Sequence, residues 1–109
     1  MRIFDAHTHL NQEDLFPNRK EHLEAFATVG GHGLVNIWAN RQYNTNGLTI
    51  SNESRISFPD LWIKASLGIH PCDVGNAIGN IEEEITLIKQ QIEANRDSIV
   101  AIWECWIDL

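Results

Sequence analysis

Apolar residues in this chain fall into short runs separated by longer stretches with helical spacing, and the two kinds alternate regularly. "RIFDAH" (2–7) predicts a first strand, "LVNIWA" (34–39) a second, "WIKASLGI" (62–69) a third and "IVAIWE" (99–104) a fourth. Between the first two, "NRKEHLEAFATV" (18–29) places Leu23, Phe26 and Ala27 on one helical face. Asn18 is positioned to cap that helix and "GGHG" (30–33) to stop it. "NIEEEITLIKQQIEANRDS" (80–98) is the clearest helix, with Ile81, Ile85, Ile88 and Ile92 on one face. Asn80 can cap it, with Glu83 completing a capping box. Glu82, Glu83 and Glu84 then lie in the first turn, where the helix dipole favours negative charge. That role accounts for them better than metal binding. "NTNGLTISNES" (44–54) is rich in Asn, Ser and Gly and predicts a loop with a short helix. No repeat, linker or low-complexity segment interrupts the pattern.

Strand–helix–strand alternation implies the α/β class, with parallel strands joined by right-handed connections and helices packed outside. In such folds ligands collect at the carboxyl ends of the strands. Three of the four predicted strands end in residues that carry chemistry. "DAHTH" (5–9) closes the first strand. Side chains two apart in a strand point the same way, so His7 and His9 converge and can hold one transition-metal ion. Asp5 shares that face one step deeper, where it can orient an imidazole or the ion. "GIHP" (68–71) closes the third strand with His70 and breaks it with Pro71. On the fourth, Val100, Ile102 and Glu104 share a face: two apolar residues, then a carboxylate at the strand end. The bland alternative pairs Glu104 with Arg96 or Arg41. His22 lies in a helix among charged neighbours, His32 in a glycine turn, and Cys72 in a loop near the predicted mouth.

Composition narrows the function. A chain of 109 residues makes one small domain or a piece of a larger one, and a hydrophobic fraction of 43% is that of a folded protein. The net charge of −7 excludes a surface that grips nucleic-acid phosphates by general positive charge, leaving a metal as the phosphate-binding group. Two cysteines, Cys72 and Cys105, are read as reduced thiols. The opening "MRIFDAHTHL" has no apolar signal region and no stretch reaches membrane-span length, so the expectation is a soluble, cytoplasmic protein with no membrane partner.

"FDAHTHL", "ASLGIHP" and "VAIWECWIDL", in this order, resemble the TatD-like metal-dependent deoxyribonucleases of the amidohydrolase-type superfamily. The resemblance implies a (β/α)8 TIM barrel, of which residues 1–109 would form the amino-terminal part, about the first four strands with their helices. It implies that His7 and His9 bind metal, that Glu104 is a bridging, catalytic carboxylate, and that His70 belongs to the catalytic mouth. The implied cofactors are divalent ions (Mg, Mn or Zn), two in the complete enzyme. The implied reaction is hydrolysis of phosphodiester bonds of DNA, or of a small phosphodiester, by a metal-activated water. A complete barrel takes about 250 residues, so the expectation is an incomplete chain, inactive alone, that self-associates through its open barrel edge.

The family has glycine where this chain has Trp38, Trp103 and Trp106. One hypothesis is that these are UGA codons of an organism that reads UGA as glycine; ordinary UGG codons in the gene would refute it. A base-stacking platform is the competing account. Two other functions fit the residues: a related enzyme acting on a cyclic amide or ester, and a non-catalytic half-barrel used for binding or assembly.

Overall fold

In the computed structural model, which describes residues 2–37, 41–68 and 81–102, four strands form one parallel sheet in chain order. The strands are β1 (Ile3–Thr8), β2 (Gly31–Asn36), β3 (Trp62–Leu67) and β4 (Ile99–Ile102). The helices are α1 (Arg19–Thr28), α2 (Arg41–Ser57) and α3 (Ile81–Ala94), with 3-10 turns at Phe16–Asn18 and Arg96–Ser98. Each helix follows one strand and precedes the next, as a parallel sheet requires. The arrangement is that of the first half of a TIM barrel.

One face of the sheet makes the core. Leu34 and Ile63 pack with Leu23 of α1 and Ile50 of α2. Ala65 and Leu67 pack with Leu48 of α2, flanked by Ile92 and Ile99. Full burial of a side chain such as Leu34 or Ile50 contributes about 1.5–3 kcal/mol. The opposite face carries Phe4 and Trp62, whose ring centroids lie 5.4 Å apart. Gly33 lies beneath them, because a Cβ there would come within 2.6 Å of the Phe4 ring and 2.8 Å of the Trp62 carbonyl oxygen. Phe4 remains 52% exposed, Trp62 40%, Val100 48% and Ile102 45%.

Element boundaries differ from the sequence reading in instructive ways. Gly30, at φ 98°, does stop α1, but β2 begins at Gly31, so His32 is a strand residue and not part of a turn. The β1–β2 register shifts between Ile3 and Phe4, where the partner skips from Gly31 to Gly33. Asn18 occupies the cap position of α1 without a side-chain capping bond; the Phe16–Asn18 turn leads into the helix. The clearest predicted helix ends at Ala94, and Arg96–Ser98 forms a separate turn before β4.

The largest correction is α2, which runs for 17 residues through the predicted loop. Asn and Gly lower its intrinsic helix propensity, and tertiary bonds offset that loss. Asn44 donates to the Gly68 carbonyl at 2.9 Å and accepts from the Gly68 N–H at 3.3 Å, tying the helix to the end of β3. Asn52, Arg55 and Ser98 form a second tie: the Ser98 hydroxyl donates to Asn52 Oδ1 and accepts from the Arg55 guanidinium, both at 2.6 Å. No described helix is long and apolar enough to cross a membrane.

Candidate metal centre

β1 delivers the two histidines to the carboxyl end of the sheet. His7 is exposed and His9, just past the strand, is half-buried. Their ring centroids are 4.9 Å apart and the rings stand edge-on at 86°. The structure therefore brings together the pair that strand periodicity places on one side. Asp5 does something more specific than the sequence suggests. Its Oδ1 accepts from the His7 backbone N–H at 3.0 Å, so it fixes the backbone between the two residues.

The tautomer of His9 follows from its neighbour. His9 Nδ1 lies 3.0 Å from the Ile37 carbonyl oxygen. A carbonyl only accepts, so Nδ1 carries the proton, and in the neutral ring Nε2 carries the lone pair. Metal-binding histidines are held this way, with the second nitrogen donating to a carbonyl or carboxylate. The donor set thus fits a divalent metal: two imidazoles at one strand end, one with its tautomer fixed. Imidazoles suit Zn, whereas Mg and Mn favour oxygen donors. Among the described residues no group of three or more His, Cys, Asp or Glu side chains could hold an ion, so this pair supplies two donors.

His70 and Glu104 lie outside the described residues, as do Cys72, Trp38, Trp103 and Trp106. The two arginines weighed as structural partners for Glu104 have other partners. Arg41 pairs with Glu84, and Arg96 pairs with Glu93 at 2.6 Å. Glu84 in the first turn of α3 is thereby an ion-pair residue, in line with the structural reading of the acidic triplet. His22 is exposed on α1. Between Ala65 and Ser66 the β3–β4 register shifts and the partner passes from Ile99 to Ala101. The simple alternation that aligned Val100, Ile102 and Glu104 is therefore interrupted at Val100.

Sequence reasoning missed four buried asparagines near the strand ends. Asn11, Asn36, Asn44 and Asn46 are 1%, 0%, 2% and 7% exposed. Asn36 Oδ1 accepts from the Thr8 hydroxyl at 2.8 Å and from the Leu10 N–H at 3.1 Å. Asn11 donates to the Tyr43 carbonyl at 3.1 Å, and Asn46 to the Asn11 carbonyl at 3.0 Å. Gly68, which Asn44 brackets, stands two residues before His70. The signal available in the sequence was the run "NTN" beside apolar residues, which a solvated loop does not need.

Comparison with known proteins agrees with this geometry. The chain is 30% identical over 108 residues to an uncharacterized metal-dependent hydrolase of Mycoplasma pneumoniae (strain ATCC 29342 / M129 / Subtype 1), covering 99% of this chain and 38% of that protein. It therefore spans less than half the length of that relative. A sequence model of the TatD related DNase family matches residues 4–109, the whole stretch from the first strand through the fourth. With strands, helices and histidine pair in the order that family's resemblance implied, the chain belongs to the TatD related DNase family.

Proposed function

We propose that the chain contributes His7 and His9 to the centre of a metal-dependent hydrolase that cleaves phosphodiester bonds of DNA. The observation that carries this reading is the His7–His9 pair with His9 Nδ1 fastened to the Ile37 carbonyl. Family membership and the relative's name as a metal-dependent hydrolase support it. A divalent ion at this centre, Mg, Mn or Zn, supplies activation of water and neutralisation of phosphate charge. Asp5 stiffens the backbone ahead of the pair, and Ile37 fixes which nitrogen of His9 faces a ligand. Glu104 is proposed as the bridging carboxylate and His70 as a residue of the mouth, both on the family pattern. The net charge of −7 fits a protein that meets phosphate through metal and not through a basic surface.

The test is cleavage of duplex DNA and of bis(p-nitrophenyl) phosphate by the protein expressed from its complete gene and purified, in Mg, Mn or Zn. The expected result is cleavage that chelation abolishes and that falls at least about 100-fold in His7→Ala and Glu104→Ala. Hydrolysis of a cyclic amide or ester with phosphodiesters untouched would replace the substrate class. Metal binding with no hydrolysis of either would favour a non-catalytic binding module.

A further inference from the structure

We infer that Asn36 is the positioning residue of this centre, holding His9 in the Nδ1–H tautomer with Nε2 presented to the ion. The inference rests on the metal reading above and deepens it. A single atom, Asn36 Oδ1, accepts from the Thr8 hydroxyl at 2.8 Å and the Leu10 backbone N–H at 3.1 Å. Thr8 and Leu10 are the residues immediately before and after His9. The residue just past β2 completes the grip. Ile37 donates its N–H to the Thr8 carbonyl at 2.9 Å and accepts from His9 Nδ1 at 3.0 Å. Two of these four contacts are made by the main chain of Ile37, which any residue can offer. The other two need an acceptor side chain at position 36.

Burial shows that the acceptor is the point of this residue. Asn36 is 0% exposed, and its Nδ2 has no hydrogen-bond partner among the described residues. An apolar residue of the same size would avoid that orphaned donor. It would also leave the Thr8 hydroxyl only its longer contact to the Val35 carbonyl, at 3.3 Å, and leave the Leu10 N–H without its acceptor. A ligand must sit within a fraction of an ångström of its productive place, and such precision comes from the groups that hold it.

The experiment compares the wild-type protein with Asn36→Leu, Asn36→Asp and Thr8→Val. In the metal-free proteins, long-range 1H–15N NMR of the His9 ring reports the tautomer. Titration with Mn2+ or Zn2+ reports affinity, and thermal melting reports stability. The wild type is expected to show the Nδ1–H signature. Asn36→Leu is expected to lose it and to bind metal about 10–100-fold more weakly. Asn36→Asp keeps an acceptor at Oδ1 while burying a carboxylate, so it is expected to melt lower yet retain the signature and the affinity. Thr8→Val removes one of the two contacts and is expected to shift tautomer and affinity in the same direction by less. It also carries the test if Asn36→Leu does not fold. Retention of the wild-type signature in both Asn36→Leu and Thr8→Val would overturn the inference. So would metal affinity that simply follows melting temperature across the set. Failure of the wild type to bind metal would strike the metal reading instead, while the metal-free tautomer still decides the role of Asn36.

Discussion

His9 serves two ends with one ring: Nδ1 closes a hydrogen bond to the Ile37 carbonyl, and Nε2 keeps the lone pair a metal needs. Removing the ring therefore has a cost even without metal. His9→Ala is expected to lower the stability of the metal-free protein by about 1 kcal/mol, the net worth of one such bond, measured by denaturant unfolding. Unchanged stability would mean that the Ile37 contact is not held in solution. The histidine pair was legible in the sequence because a period of two is enough to place His7 and His9 together. Asn36 was not legible as a support. Its partners Thr8 and Leu10 lie 28 and 26 residues away, and nothing local says which backbone groups a strand-end asparagine will meet.

Two glycines show how elements constrain one another. Gly33 in β2 has the Phe4 ring and the Trp62 backbone where a Cβ would go, at 2.6 and 2.8 Å. The Trp62 carbonyl belongs to the neighbouring strand and cannot swing aside. Gly33→Ala is therefore expected to destabilise by roughly 1–3 kcal/mol. Gly47 in α2 is the opposite case. A Cβ there meets Ala65 Cβ at 3.4 Å, Asn11 Nδ2 at 3.7 Å and Asn36 Cβ at 3.9 Å, all ordinary contacts. Gly47→Ala should raise stability by about 0.5–1 kcal/mol through helix propensity alone. Melting temperatures that move in opposite directions would bear out both; a fall for Gly47→Ala would show that α2 packs more closely than described. The order of strands and two of the three described helices could be read from periodicity. α2 could not, because its asparagines look like turn residues until their distant partners are known, such as the Gly68 backbone for Asn44 and the Asn11 carbonyl for Asn46.

Among the described residues, the three helices lie on one side of the sheet, and Phe4 and Trp62 on the other side stay exposed. Exposed apolar surface of this kind favours association. We propose that the protein self-associates through this face and the sheet edge beside it. Sedimentation is expected to show mass rising with concentration, and less so in Phe4→Ser combined with Trp62→Ser; a monomer at all concentrations would contradict this. The parallel α/β order was legible because the described strands and helices alternate, and the family resemblance followed from where His7, His9 and "GIHP" stand in the sequence.

The central claim is that His7 and His9 hold a divalent ion at the carboxyl end of β1, and calorimetric titration of the metal-free protein with Mn2+ or Zn2+ tests it most directly. Saturable binding is expected, weakened at least about 10-fold by His7→Ala and by His9→Ala separately, with far-UV circular dichroism unchanged. Equal affinity in the wild type and in the variant lacking both histidines would contradict it.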